Sequence, residues 1–396
     1  MAELNFRSYP NITKITIGNN AVCNANFVNA FRNMANLTNC TFPTKNVTNM
    51  AYSHYNCYNL TGTPVCGPNT TNMAYAYYYC NNLSSTPVCG NNVTDMSNAY
   101  YFCWTMTGTP VCGSNVTNMS GAYCSCNKLT GSPVCGDKVT DFSRTYDLCN
   151  RLTGNPVCGA NVTNMHRTYY SCVNLTGNPV CGANVTNFSR AYYECYNITG
   201  TPVCGANVVN MCEAYEECRN LTGSPACGNK VGNMWNAYYN CSKITGTPVC
   251  GTNVYDMQRA YYNCYNLTGS PACGNNVTSL NRAYYNCTKL SGAPVCGAKV
   301  FDLSHAYYNC VNLRGNMYIY SNYVTNVSNC FYGRNTSNML NIYIYNNTSG
   351  GDTINSIIAS AATNSLVGAA VTWTNDTTNK RYYNTTYNIY IYYTLT

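Results

Sequence analysis

The chain has 396 residues, of which 9% are charged, with 28 Cys, 40 Tyr and a formal net charge of +8. So diffuse a basic excess does not indicate a nucleic-acid partner. No apolar run reaches the roughly 18 residues of a membrane-crossing helix, so no membrane span is expected and solubility rests on Asn, Thr, Ser and Tyr.

The first residues, Met1-Ala2-Glu3-Leu4-Asn5-Phe6-Arg7, carry no apolar signal segment. Export by the usual secretory route is therefore not expected, and synthesis in a cytoplasm is. Asn-x-Ser/Thr sequons such as Asn59-Leu60-Thr61 would invite glycosylation in a eukaryotic secretory pathway, which the missing signal argues against. Residues 1–50 read as an N-terminal cap with a degenerate first repeat: Leu37 lies 23 before Leu60 and Met50 lies 23 before Met73, while Met34 and Pro43 stand where cysteines are due. Terminal repeats are atypical because one face lacks a neighbour.

From 51 to 313 the cysteines set the period. Cys57, Cys80, Cys103 and their successors to Cys310 are 23 apart, and Cys66, Cys89, Cys112 to Cys296 form a second column with the same step. A unit this short cannot bury an apolar face alone, so the expected fold is a solenoid of stacked units. Within a unit, Met73, Ala76, Tyr77 and Cys80 fall at i, i+3, i+4 and i+7, which predicts a short helix with these side chains inward. The column of Asn72, Asp95, Asn118 and Asp141 supplies an N-cap for each helix. The glycines at Gly62, Gly108 and Gly131 would end it. Thr63-Pro64-Val65-Cys66 then reads as a short strand with Thr63 and Val65 inward and Pro64 and Cys66 outward, although a corner at Gly67 could turn the cysteine back. The Val93, Val116 and Val139 column adds one more inward residue.

Residues 314–396 read as a small α+β C-terminal cap or joining module. Met317-Tyr318-Ile319-Tyr320 and Ile342-Tyr343-Ile344-Tyr345 alternate like strands. Thr353–Ala362 reads as a helix capped by Asp352 or Thr353, and Ala370–Thr374 and Tyr387–Tyr393 as further strands.

The runs Asn-Val-Thr-Asn-Met and Ala-Tyr-Tyr-x-Cys-x-Asn-Leu-Thr resemble the BspA-type leucine-rich repeat of bacterial surface adhesins, protist surface proteins and bacteriophage virion proteins, whose unit carries an Ala-Phe-x-x-Cys-x-x-Leu core. The resemblance covers about residues 28–313. It departs at Pro-Val-Cys-Gly, where the family usually has Ile-x-Ile-Pro or Leu-x-Leu. It implies a leucine-rich-repeat-like solenoid and an exposed, non-enzymatic binding or structural role. With no signal segment, the setting it implies is a phage virion, as a tail-fibre or receptor-binding component on the virion surface. The partners would be host surface polysaccharide or protein and other virion proteins. The alternative setting is a bacterial cell surface, as an adhesin.

The cysteines carry the sharpest chemical question. The leading reading of the Cys57 column is buried thiols packing as small hydrophobes, and a disulfide within each coil, Cys57 to Cys66, competes with it. Cys-x₂-Cys and His-x₃-His pairs are absent and the only histidines are His54, His166 and His305, so no metal and no cofactor are expected. Cys124 and Cys212 fall outside both columns. An array presents each acid or nucleophile a dozen times without a matched partner, so no catalytic residue is assigned. Ice or crystal-surface binding by columns of the Thr61-Gly62-Thr63 type is a weak alternative, since the second Thr becomes Asn155, Asn178 or Ala293. What varies between units is an outward strip. Arg144, Arg167, Arg190, Arg259 and Arg282, with Tyr170, Tyr193, Tyr239, Tyr262 and Tyr285, make a candidate binding face in which guanidiniums take anions and tyrosine faces stack on sugars.

Overall fold

The computed structural model describes residues 6, 9, 11–18, 20, 21, 23, 25–346, 357, 359, 366–368 and 372–395. These fall into two compact units, Met1–Ile198 and Thr199–Thr396. Each is a stack of 23-residue coils joined by parallel bridges between equivalent residues. Asn72 pairs with Asp95 and Asp95 with Asn118 in the first unit, and Asn210 with Asn233 and Asn233 with Asp256 in the second. The expected repeat architecture is present in both.

The expected helix is not. Residues 51–313 contain no helical position. Ala76 N–H donates to Met73 C=O at 2.9 Å and Cys80 N–H to Tyr77 C=O at 3.2 Å, closing two consecutive four-residue turns. The intervening Met73, Tyr75, Tyr77 and Tyr79 N–H groups instead leave the coil, donating to the carbonyls of Asp95, Ser97, Ala99 and Tyr101 at 2.8–2.9 Å. Tyr75 and Tyr79, third in their turns, have φ of 56° and 59°. That is the sign a type II turn needs there and one an α-helix never contains. Two such turns in series put their first and last residues inward. Met73, Ala76, Tyr77 and Cys80 are therefore buried in the pattern a helix would give. The acceptor role expected of the Asn72 column survives in another form. Asn72 Oδ1 accepts from Ala74 N–H and Asp95 Oδ1 from Ser97 N–H, each at 2.8 Å, as Asx turns that open the first turn of the coil.

The expected strand is also absent. Pro64 is buried, Thr63 exposed, and Val65 and Cys66 half-buried, so the anticipated alternation is reversed at its first two residues. The cause is the buried tyrosine. Tyr77 Oη accepts from Val65 N–H at 2.8 Å and donates to Val65 C=O at 3.0 Å. One hydroxyl thus supplies both bonds a ladder would have given, and a proline beside it leaves no further donor to satisfy. Tyr238 repeats the arrangement with Ala226 at 3.0 and 2.6 Å.

These tyrosines form the core. In the first unit Tyr77, Tyr100, Tyr123, Tyr146, Tyr169 and Tyr192 stack ring on ring at 5.3–5.8 Å, with His54 continuing the ladder 4.8 Å from Tyr77. In the second, Tyr215, Tyr238, Tyr261, Tyr284 and Tyr307 do the same at 5.4–5.7 Å, closed by Phe331. Beside them lies the Cys57 column, buried as expected. Its thiols donate to tyrosine carbonyls, Cys103 to Tyr77 at 3.1 Å and Cys264 to Tyr238 at 3.0 Å. All 28 cysteines are free thiols.

Regular strands occur near the two ends. In the first unit β1 (Lys14–Thr16) pairs in parallel with β2 (Asn39–Thr41). The second unit ends in a five-stranded sheet. It comprises β3 (Gly315–Ile319), β4 (Leu340–Asn346), β5 (Thr374–Asp376), β6 (Arg381–Asn384) and β7 (Ile389–Leu395), ordered β3-β4-β7-β6-β5. β3, β4 and β7 are parallel, and β6 and β5 add antiparallel. Met317, Ile319, Ile342, Ile344, Ile389 and Ile391 bury one face of it. The helix expected over Thr353–Ala362 lies outside the described residues except for Ile357 and Ala359, both helical.

Candidate binding face

The ten strip residues occupy the outer side of the two turns, Arg144 exposed and the other nine half-buried. The arginines are the third residues of the first turn, with φ of 53°, 55° and 55° at Arg144, Arg167 and Arg190 in the first unit, and 52° and 54° at Arg259 and Arg282 in the second. Left-handed backbone at a long side chain carries about 1 kcal/mol or more of strain, which the stack on both sides must hold.

The tyrosines form a second ladder, on the surface. Tyr170 and Tyr193 stack at 4.5 Å and 4° in the first unit. Tyr239, Tyr262, Tyr285, Tyr308 and Tyr332 stack at 4.3–4.8 Å in the second. For Tyr262 and Tyr285, which have a ring on each side, this corrects the expectation that the ring faces are offered to sugars. A ring sandwiched between like rings has its faces covered and turns its edge and hydroxyl outward. Crowding by burial and by the Tyr308 hydroxyl pushes the Tyr285 phenol up to about 12. Tyr285 therefore stays protonated at ordinary pH.

In the first unit the ladder is broken. Tyr78 stacks on Tyr101 at 4.8 Å, but the next two places in the column are Cys124 and Asp147 before Tyr170 resumes it. Arginines lie at the gap. Arg144 donates from Nε to Asp147 Oδ2 at 3.2 Å and from Nη2 to the Tyr101 hydroxyl at 3.2 Å. Arg167 grips the same carboxylate with two bonds, Nε to Oδ2 at 2.9 Å and Nη2 to Oδ1 at 3.2 Å. Its guanidinium also lies 3.9 Å from the centre of the Tyr170 ring. The Asp147 side chain is 0% exposed. Arginines in neighbouring coils therefore do not simply repel one another here, because a buried anion ties two of them together.

Around the gap, His166 Nδ1 and Ser189 Oγ share a hydrogen bond of 2.8 Å. Ser171 donates to Glu194 at 2.8 Å. Burial, then Arg167, Arg190 and Arg144, hold the His166 pKa below its ordinary value, so the ring is neutral and the cluster's positive charge stays on the guanidiniums.

The strip in the second unit is differently built. Arg282 contacts Asn281 at 3.4 Å. The third residue of the second turn there is asparagine in four successive coils, with φ of 56–62°. Their amides form a ladder, Asn263 to Asn240 at 2.7 Å, Asn286 to Asn263 at 2.8 Å and Asn309 to Asn286 at 3.0 Å. Asparagine is the residue, after glycine, that best tolerates this backbone, and its amide adds a side-chain bond between coils. One coil of this unit is acidic. Glu216 is buried and accepts from Asn236 at 2.9 Å, and Glu217 accepts from Asn240 at 2.5 Å and pairs with Arg219 at 2.7 Å.

Sequence reasoning missed Asp147, the asparagine ladder, Tyr308 and Tyr332. The signal for Asp147 was present, as the place where a tyrosine column is interrupted three residues after an arginine. Among the described residues no group of three or more His, Cys, Asp or Glu is arranged to hold a metal, and no helix is long and apolar enough to cross a membrane.

No protein-family model and no curated protein matches the chain. A solved structure is similar, that of a leucine-rich cell surface protein from Faecalibacterium prausnitzii A2-165. It is 16% identical, with 91% of this chain and 92% of that one covered and a TM-score of 0.36.

Proposed function

We propose that the chain is a non-enzymatic binding repeat displayed at a surface, and that its outer turn face engages an anionic, hydroxyl-rich polymer such as a cell-wall polysaccharide. The observation that carries this reading is the gap in the surface tyrosine ladder at Cys124 and Asp147. There arginines 144, 167 and 190 stand in three successive coils, Arg144 exposed and the other two half-buried. Selectivity needs a place that differs from its neighbours. Beside the gap, tyrosine rings stacked at 4.5–4.8 Å repeat their hydroxyls at a spacing that suits a ligand that is itself periodic.

The setting that accords with the repeat resemblance is a bacterial cell surface, with the chain acting as an adhesin. A phage tail fibre that presents the same face to host glycans is the second reading, and it rests on the same resemblance. The test is attachment of the purified protein to isolated wall polysaccharide at low and moderate salt, for the wild type and for Arg144→Ser/Arg167→Ser/Arg190→Ser. Attachment should fall in the variant, and the difference should shrink as salt rises. Equal attachment by a folded variant at both ionic strengths would remove the strip as the binding face. Immunogold microscopy of source material separates the two settings by whether label lies on cells or on particles.

A further inference from the structure

We infer that the outer thiol column of the second unit, at Cys204, Cys227 and Cys250 with Met234, is a binding site for a soft monovalent cation of the Cu(I) or Ag(I) class. This lies outside the polymer-binding face and does not depend on it.

The two cysteine columns are chemically different. Cys218, Cys241 and Cys264 are buried among the core tyrosines. Cys204, Cys227 and Cys250 are half-exposed, so a small ion can reach them. Each outer sulfur leans toward the following coil. Cys204 Sγ accepts from Gly228 N–H at 3.2 Å, and Gly228 is the residue next to Cys227. Cys250 Sγ accepts from Gly274 N–H at 3.2 Å in the same way. Glycine is required at position 251. A Cβ on Gly251 would meet Gly228 C=O at 2.4 Å and Cys227 Sγ at 3.2 Å. The column is thus a row of thiols set beside a row of glycines. A thioether joins it, with Met234 Sδ at 3.5 Å from Cys227 Sγ.

The geometry selects the ion. Coils in parallel register are about 4.8 Å apart, and two metal–thiolate bonds of about 2.3 Å placed end to end span about 4.6 Å. A cation content with two collinear sulfurs therefore fits between successive thiols. A tetrahedral ion does not, since no three or more His, Cys, Asp or Glu side chains among the described residues converge as metal ligands. Thiolate and thioether donors without nitrogen or oxygen favour soft ions such as Cu(I) over Zn(II) or Mg(II). On binding, each thiol gives its proton to solvent as its sulfur bonds the metal, and the metal keeps its +1 charge. Because each thiol loses its proton on binding, uptake releases protons and weakens as pH falls.

The test uses the full chain, reduced and free of air, titrated into the coloured Cu(I)–bicinchoninate complex. The protein should bleach the colour. Cys204→Ser/Cys227→Ser/Cys250→Ser should take up at least one copper fewer per chain, and Cys212→Ser, outside the column, should match the wild type. X-ray absorption of the copper-loaded wild type should show sulfur neighbours alone, a readout that does not depend on the variants folding. No bleaching, undiminished uptake by the triple variant, or nitrogen or oxygen neighbours at the metal would each overturn the assignment.

Discussion

The Tyr77 hydroxyl sits 2.8 Å from the Val65 nitrogen and 3.0 Å from the Val65 oxygen, so one side chain of a coil hydrogen-bonds both polar groups of a residue twelve places earlier. Every copy of this contact replaces part of a β-ladder with a phenol. It explains why the column holds tyrosine where the resembling repeats hold phenylalanine.

It follows that Tyr261→Phe, which keeps the stacked ring but leaves the Val249 N–H and C=O without their partner, should lower stability by about 1–3 kcal/mol. Tyr261→Ala should cost about 3–5 kcal/mol, because a cavity is added. Tyr262→Ala, on the half-buried outer ladder, should cost less than either. Urea midpoints of the three variants check the order. Equal losses at 261 and 262 would contradict the inward assignment of the core ladder.

Stability should also depend on pH through His54, which is buried between Phe31 and Tyr77 with its Nδ1 3.0 Å from the Ser53 hydroxyl. Burial lowers its pKa to about 3 from an ordinary 6.5. The unfolded chain therefore binds a proton that the folded chain refuses. The contribution is complete above pH 6.5 and is lost as pH falls toward 3, at up to about 1.4 kcal/mol per pH unit. His166 and His305, also lowered by burial first, act in the same direction. Between pH 6.5 and 5, thermal midpoints should fall, and His54→Phe should flatten that slope. An unchanged slope would place the titration elsewhere.

The cysteines of the core column donate to carbonyls and are screened by the tyrosines, and burial raises Cys103 and Cys264 well above the usual thiol range. Thiol reagents should then label protein kept from air in two classes. The outer column should react slowly in the native state, and nearly all 28 Cys should react after denaturation. Widespread failure to react when denatured would indicate disulfides.

How far the sequence could be read follows from the geometry of the coil. The inward set Met73, Ala76, Tyr77 and Cys80 was legible because two linked four-residue turns and a helix bury the same spacing. For that reason the spacing could not tell them apart. The positive φ that distinguishes them falls on Tyr75, Tyr79, Arg144 and Glu194, side chains that seldom signal it, and hints came from Gly121 and from asparagines such as those at 98, 236, 240, 263, 286 and 309. The alternation rule failed at Pro64 because it assumes a pleat, and here the backbone is held by a tyrosine hydroxyl instead. The arginine column was visible, but its pairing was not. Asp147 meets Arg167 across 20 residues, a separation that becomes a contact only once the coils stack.

That pairing yields the last prediction. Asp147 is buried and holds Arg144 and Arg167 at once. Replacing it with Asn keeps the size but removes the charge that offsets two half-exposed guanidiniums. Losing one partner of a buried pair costs about 3–5 kcal/mol in full burial, and the arginines' exposure to solvent should reduce this to about 1–3 kcal/mol. Asp147→Asn should therefore unfold at lower urea than the wild type. Its attachment to an anionic polysaccharide should be stronger, because the two freed cations now seek their counter-charge outside the chain, and the gain should shrink with added salt. Asp147→Tyr, which restores the interrupted ladder, should fold and attach less well at low salt, since a ring then fills the gap that the arginines occupy. If Asp147→Asn loses stability while attachment stays unchanged at every salt concentration, the Arg144–Asp147–Arg167 cluster is a structural clamp, and recognition lies on another part of the turn face.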